Sequence, residues 1–157
     1  MDAETPALLR SFRDDFRWDG VVLSPYKEDG AAPFRAISRQ ELFKQPDLAC
    51  ELRYFEMAPG GYSTLERHEH AHAVMILRGE GHCLLGRSVR PVRAHDLIAI
   101  PSWTWHQFRA TRGVPLGFLC MVNRDRDRPQ LPAERDLAEF RKDPALAAFL
   151  DGTPPAA

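Results

Sequence analysis

The chain has 157 residues, which is enough for one compact domain and too few for two domains with separate cores. Hydrophobic residues make up 44% and charged residues 27%, with 21 basic and 22 acidic side chains. These proportions are typical of a globular protein, and a formal net charge of −1 does not favour binding to a nucleic-acid backbone.

The chain lacks a run of about eighteen apolar residues, so a membrane-spanning segment is not expected. Its first ten residues lack the order of a secretory signal, which predicts a cytoplasmic protein. The three cysteines are then expected to be thiols, because they are odd in number and far apart in sequence: Cys50, Cys83 and Cys120.

Helical patterns lie toward the two ends of the chain. Residues 7–18 are compatible with a short amphipathic helix, and Ser38 with Glu41 has the spacing of a capping box. Residues 132–140 and 143–150 are predicted helices, the second with Asp143 as its N-cap. We therefore expect an extension over 1–50, a barrel over 51–123 and a helical segment over 124–157, all in one structural domain.

Between these ends, prolines and glycines divide the chain into segments of strand length, which favours an all-β core. Turns are predicted at 59–61, 79–81 and 112–113, each with a glycine. The predicted strands cover 51–57, 65–68, 72–78, 82–85, 97–100, 106–110 and 116–122.

Three of the six histidines lie within ERHEHAH, residues 66–72, and His106 follows further along the chain. Along one continuous strand, successive side chains on the same face are ~6.6 Å apart, so four would span about 20 Å. Metal–ligand bonds are only ~2.0 to 2.2 Å long. A single metal site therefore requires the chain to fold back within this cluster, and we predict the turn at 69–71.

The spacing of these residues resembles the two motifs of the cupin superfamily. PGG at 59–61, a ligand position at Glu66, the HxxxH of 68–72 and the glycines of RGEG resemble the first motif, and His95-Asp96 through Pro101 to His106 resembles the second. The resemblance covers about 51–122 and implies a single cupin barrel, a double-stranded β-helix or jelly roll, with short flanking helices at both ends. Glutamate and histidine have exchanged places in the first motif, and Ala110 replaces an asparagine common in the second.

The resemblance implies one divalent metal held by Glu66, His68, His72 and His106. Three imidazoles and one carboxylate suit Mn²⁺ first and Fe²⁺ next, with Zn²⁺ and Ni²⁺ as alternatives. His70 lies in the predicted turn, where we expect it beside the ligands or facing the substrate. The set His68, His70, His72 and His106 stays open as the alternative.

Strand alternation predicts which neighbours face the metal. If His72 points inward, Val74, Ile76 and Arg78 share its face of the strand. After the predicted glycine turn, Cys83 and Leu85 are expected to point inward as well. On the last strand, Phe118, Cys120 and Val122 take the inward phase, which makes Cys120 a candidate catalytic thiol. The resemblance favours this phase, since small four-ligand cupins often carry a cysteine there; the alternative is that Cys120 is a buried hydrophobe.

Five polar side chains are predicted near the mouth of the cavity as weak candidates for holding an anionic substrate: Arg53, Tyr54, Tyr62, Arg78 and Gln107. Trp103 and Trp105 flank His106 and fit either a barrel wall or a stacking surface.

Three functions remain open at this point. The resemblance extends to a manganese enzyme of methylthio-sugar salvage, which implies removal of a methylthio group from a xylulose phosphate, with Cys120 as nucleophile and glutathione as co-substrate. The alternatives are a non-haem iron dioxygenase or sugar-phosphate isomerase, and a non-catalytic ligand-sensing cupin. Cupins of this size also imply a homodimer.

Overall fold

The computed structural model describes residues 7–28, 30 and 32–153 and consists mainly of β-strands. Two short helices lie at the C-terminal end of the described residues, α1 (Glu134–Phe140) and α2 (Pro144–Leu150). No helix among the described residues is long and apolar enough to span a membrane. The strands are β1 (Phe12–Arg13), β2 (Arg17–Trp18), β3 (Leu23–Pro25), β4 (Arg35–Phe43), β5 (Cys50–Tyr62), β6 (His72–Leu85), β7 (Ser88–Arg93), β8 (Leu97–Ile100), β9 (His106–Ala110) and β10 (Leu116–Asn123).

Antiparallel pairing closes the large sheet into a barrel. β10 pairs with both β5 and β6, and β9 pairs with the same two strands, so that β5, β10, β6 and β9 form a ring. Strands β7 and β8 also pair with β6, and β3 and β4 extend the sheet beyond β5. The predicted all-β barrel is therefore confirmed.

The glycine sites predicted as turns at 59–61 and 79–81 are bends inside the long strands β5 and β6. Gly60 and Gly79 have φ angles of 75° and 72°, which side chains rarely adopt. A Cβ on Gly79 would also lie 1.7 Å from the carbonyl oxygen of Pro115. These bends let each strand continue around the barrel, and only the predicted turn at 112–113 ends a strand.

The N-terminal prediction was wrong. Residues 12–18 form the β1–β2 hairpin instead of a helix, because Asp15 and Phe16 reverse the chain with positive φ angles. Phe16 stacks on Tyr54 of β5 at 5.8 Å, and Trp18 meets the same ring edge-on at 5.2 Å. Aromatic packing on the barrel thus overrides the local helical pattern, and flanking helices are found at only one end of the described chain.

The capping box predicted at Ser38 and Glu41 was also wrong. Both residues lie within β4, where pairing with β5 buries Ile37 and Leu42 on the sheet. The C-terminal helices were predicted correctly, and the Asp143 carboxylate accepts hydrogen bonds from the backbone N–H groups of Ala145 and Leu146. Phe140, Leu146 and Phe149 pack these helices against Leu65 and Leu84 of the barrel.

Candidate metal centre and cavity

Three histidines from two parts of the chain meet inside the barrel. The chain bends at 69–70, as predicted, so that His68 lies before the bend and His72 begins β6. His106 begins β9. Their ring nitrogens form a group of possible ligand atoms that all lie within 4.8 Å of one another.

Backbone carbonyls orient two of these imidazoles. The Nδ1 atom of His68 lies 2.7 Å from the carbonyl oxygen of His70, and the Nδ1 atom of His106 lies 2.9 Å from that of Thr104. A proton on each Nδ1 would be donated to the carbonyl, which leaves Nε2 with a lone pair. This is the support that metal-binding histidines ordinarily have.

The electrostatics of the cluster favour neutral imidazoles. Burial, followed by the neighbouring His106, lowers the pKa of His68 to about 4 and that of His72 to about 2. Burial also lowers the pKa of His106. The Nε2 atoms of His68 and His72 are only 2.8 Å apart. Neutral imidazoles whose nitrogens converge in this way are the donor set of a divalent transition metal, so the residues present fit such an ion.

Glu66 lies beside the cluster without belonging to that group of three. Its backbone pairs with His106 through two hydrogen bonds of 3.1 and 3.0 Å. Directly opposed antiparallel residues project to the same side of a sheet, so the side chains of Glu66 and His106 face the same cavity. The Glu66 carboxylate forms an ion pair with Lys27.

His70 occupies a position behind His68. Its ring stacks on that of His68 with centroids 3.6 Å apart and planes 2° apart. Its Nδ1 atom lies 2.7 Å from Oδ1 of Asp127, and its backbone N–H donates to the same oxygen. This environment holds the His70 ring in place against the cluster.

Cys120 is the thiol nearest to the histidines. The predicted inward phase of β10 is present, with Phe118, Cys120 and Val122 all buried. The Sγ atom lies 2.9 Å from Nδ1 of His72, and the guanidinium of Arg53 approaches it at 3.6 Å. Burial raises the pKa of the Cys120 thiol, and the positive charge of Arg53 opposes that rise. Cys83 is buried in the apolar core, and Cys50 is only partly buried.

These groups line a cavity of about 380 Å³, within the range of small-molecule sites. Of the five side chains predicted at its mouth, only Arg53 lines it. Tyr54 points to the other face of β5, where its hydroxyl donates to Glu56. Tyr62 and Gln107 line a different cavity, because each alternates with an inward residue on its strand.

Arg78 was predicted to share the inward face of His72, and this was wrong. The pairing of β6 with β10 contains a bulge at residue 77, which shifts the alternation by one residue. Arg78 therefore projects outward and forms ion pairs with Asp15 and Glu56 at 2.8 and 2.9 Å.

Part of the cavity wall comes from residues that the sequence did not indicate. Tyr26, Lys27 and Arg39 line it, as do all residues of the segment 124–129 except Asp125. This segment, RDRDRP, was not among the predicted site residues. In the structure Asp127 accepts hydrogen bonds from the backbone N–H groups of Glu69 and His70, which fastens the segment over the histidines. Trp105 packs edge-on against Phe140 and serves as wall, whereas Trp103 is exposed.

A closed antiparallel barrel with this histidine cluster defines the class of protein. The family model described as Cupin domain matches residues 53–122, and the chain belongs to this family. A curated relative from Rhodospirillum rubrum, named 1-methylthio-D-xylulose 5-phosphate methylsulfurylase, is 58% identical over 151 residues, which cover 96% of this chain and 97% of that protein.

Solved structures with high sequence identity have the same fold. A cupin-2 domain from Rhodospirillum rubrum is 58% identical with a TM-score of 0.85, covering 94% of this chain and 99% of that one. A cupin 2 conserved barrel domain protein from Rhodopseudomonas palustris is 60% identical with a TM-score of 0.86, covering 90% and 98% of the two chains.

Proposed function

We propose that this protein is a metal-dependent cupin enzyme that removes the methylthio group from 1-methylthio-xylulose 5-phosphate. Glutathione is the acceptor of the methylthio group, and a deoxy-sugar phosphate is the second product. The observation that carries the proposal is the position of the Cys120 thiol, 2.9 Å from a histidine of the candidate metal cluster. The 58% identity to a protein named for this reaction supports it.

The proposed metal ligands are Glu66, His68, His72 and His106, with Mn²⁺ as the expected ion. The bridge between Glu66 and His106 supports this set, since it turns both side chains toward the cavity. The contact between His70 and Asp127 supports leaving His70 outside it. A divalent ion bound there would supply Lewis acidity that stabilises negative charge on the ketone oxygen of the sugar.

Cys120 is the proposed nucleophile. Its thiolate attacks the methylthio sulfur, an S–S bond forms, and the C–S bond breaks with its electron pair on C1 of the sugar. The sulfur is oxidised to a disulfide and C1 is reduced to a methyl group after taking up one proton. The glutathione thiolate then attacks the methylthio sulfur, which releases methylthio-glutathione disulfide and restores Cys120.

Two neighbours support the thiolate. Arg53 places a positive charge 3.6 Å from Sγ, and the hydrogen bond with His72 Nδ1 fixes the sulfur against the cluster. Nearby positive charge stabilises a thiolate against the penalty of burial. The aromatic rings of Phe108 and Phe118 line the same cavity, stack 4.4 Å apart and keep water from its apolar wall.

The assay of this function measures both products. Purified protein with Mn²⁺, the methylthio sugar phosphate and glutathione should yield methylthio-glutathione disulfide and deoxy-sugar phosphate in equal amounts, in air and under nitrogen alike. Oxygen consumption with an oxygenated product would instead establish a dioxygenase. A ketose isomer with its C–S bond intact would establish an isomerase, and binding without turnover a sensor; each of these results overturns the proposal.

We also propose that the enzyme is a homodimer joined through the outer face of its sheet. β6, β8 and β10 present adjacent apolar side chains there, with Leu97 77% exposed and Met121 47% exposed. A second copy would bury this patch. Light scattering should give twice the chain mass, and Leu97→Glu should give the monomer mass; Leu131→Glu, at an exposed leucine elsewhere, should leave the dimer intact.

A further inference from the structure

The histidine cavity is strongly basic in a chain whose formal net charge is −1. Among the residues that the structure describes, two carboxylates line it, those of Glu66 and Asp127. A cavity with this excess of positive charge concentrates anions from solution. The basic side chains that line it are Lys27, Arg39, Arg53, Arg124, Arg126 and Arg128.

Three of these cations already have partners. Lys27 is paired with Glu66, and Arg124 donates to the carbonyl oxygen of Pro46 at 2.9 Å. Arg126 lies 2.5 Å from the carboxylate of Glu51, which is 2% exposed. These contacts fix the wall of the cavity and leave those three groups less able to hold a ligand.

The other three have donors to spare. The Arg53 side chain is 11% exposed; its Nε lies 3.9 Å from the Glu51 carboxylate, too far for a hydrogen bond, and has no hydrogen-bond partner among the described residues. Within the described ranges 7–28, 30 and 32–153, neither Arg39 nor Arg128 forms a side-chain hydrogen bond or an ion pair. The partly buried guanidinium groups of Arg39 and Arg53 lose hydration, so an anionic partner in the cavity would stabilise them, whereas Arg128 lines the same cavity as an exposed side chain.

The three arginines lie on two walls of one space. Arg39 on β4 is directly opposite Phe55 on β5, and Arg53 is two residues from Phe55 on the same face. Arg128 belongs to the segment fastened by Asp127 over residues 69–70. An anion between these walls would receive donors from both sides, while Cys120 and the histidines remain next to Arg53.

We propose that Arg39, Arg53 and Arg128 form a subsite for a phosphate monoester. Guanidinium groups match phosphate oxygens with paired hydrogen bonds, and a dianion balances the excess charge of the cavity better than a neutral sugar does. The identity of the rest of the substrate rests on the proposed function. In that substrate, the methylthio end would lie toward Cys120. Arg39 and Arg128 are substrate-binding residues in this arrangement.

Titration calorimetry on the metal-loaded protein tests the subsite without turnover. Inorganic phosphate should bind and should be displaced by xylulose 5-phosphate. Arg39→Gln and Arg128→Gln should each weaken phosphate binding about tenfold or more, since each removes charge-assisted hydrogen bonds. Arg90→Gln removes the same charge from an exposed position on β7 outside the cavity and should bind as wild type does. If wild type and the three arginine variants bind phosphate with equal affinity, the anion lies elsewhere, for instance on the metal, and the proposed subsite is overturned.

Kinetics separate this inference from the proposed function. Arg39→Gln should raise KM for the phosphorylated methylthio sugar about tenfold or more with kcat nearly unchanged, and should leave kcat/KM for the unphosphorylated sugar as in wild type. If Arg39→Gln turns over the methylthio sugar phosphate with an unchanged KM, the subsite is overturned and the proposed function stands. Arginine-dependent phosphate binding in a protein that does not cleave the methylthio sugar would support the subsite and overturn the proposed function.

Discussion

Two cavities of very different size lie on opposite faces of β9, and the smaller one, inside the barrel, contains the histidine cluster. One has a volume of about 1460 Å³ and the histidine cavity only about 380 Å³, and no described residue lines both. Strand β9 contributes to both, with Gln107 and Arg109 on one face and His106 and Phe108 on the other. A candidate site is thus recognised by side chains that converge, not by its volume.

Two polar side chains of the larger cavity, Gln107 and Arg109, contact the protein itself. The guanidinium of Arg109 lies 4.4 Å from the centre of the Tyr62 ring, and Gln107 donates to the carbonyl oxygen of Ser63 at 2.7 Å. His82 is its single histidine among the described residues. One imidazole does not make a metal centre, so variants in this cavity serve as controls for the histidine cavity.

The largest expected effect is on Cys120. Cys120→Ser keeps nearly the same volume and supplies a far poorer nucleophile at neutral pH, so kcat should fall by at least about 10³-fold. Metal content, measured by elemental analysis, should be unchanged. Cys83→Ser is the matched control in the apolar core, where a hydroxyl costs stability but leaves the reacting groups in place. Full activity in Cys120→Ser would overturn the sulfur-transfer mechanism.

The second comparison uses two buried histidines on neighbouring strands. His106→Ala should abolish metal retention after gel filtration, because the remaining proposed ligands all lie in 66–72. His82→Ala, in the larger cavity, should keep one metal per chain. Both side chains are similarly buried, at 5% and 8% exposure, so a general loss of folding would affect both variants. Metal bound normally by His106→Ala would contradict the candidate centre.

The residues themselves predicted an all-β core and the bend within the histidine cluster because both depend on short-range patterns, whereas the closed barrel and the place of His106 were implied by the resemblance to cupins. Alternation along β10 placed Cys120 inward, and the limited length of metal–ligand bonds required the bend at 69–70. These features follow from spacing within one strand or one turn. They do not require knowledge of which distant segments pair.

What the sequence could not predict depends on long-range contacts. The bulge at residue 77 arises from the register against β10, and it reversed the expected direction of Arg78. Residues 12–18 became a hairpin because Tyr54 offered an aromatic partner. Arg39 and Arg128 reach the cavity from outside the barrel motif, so nothing in their own sequence neighbourhood indicated a binding role.

The third prediction decides between the two possible ligand sets. Glu66→Gln removes the charge of the proposed carboxylate ligand and should weaken Mn²⁺ about 10- to 100-fold in a competition titration with a chelator, the range that loss of supporting metal contacts ordinarily produces. His70→Gln should change affinity much less, because His70 is held by Asp127. The reverse order of effects would establish His70 as the ligand and Glu66 as the partner of Lys27.

The smallest expected effect concerns stability. An ion that binds only the folded chain stabilises it by RT ln(1 + [M]/Kd), or about 2.7 kcal/mol at a hundredfold excess over Kd. For a chain of this length, that free energy corresponds to a rise in Tm of roughly 5 to 10 °C. Chelation followed by scanning calorimetry should show this fall in Tm in wild type, and added Mn²⁺ should reverse it.

Two variants serve as controls for this effect. Chelation should lower the Tm of His82→Ala as much as that of wild type, whereas it should not change the Tm of His106→Ala, since that variant has no ion to release. Because the barrel has its own apolar core, whose residues extend along the chain from Ile37 to Val122, the chelated protein should still unfold in one cooperative transition. An unchanged Tm after verified removal of the metal would mean that the ion contributes to chemistry alone.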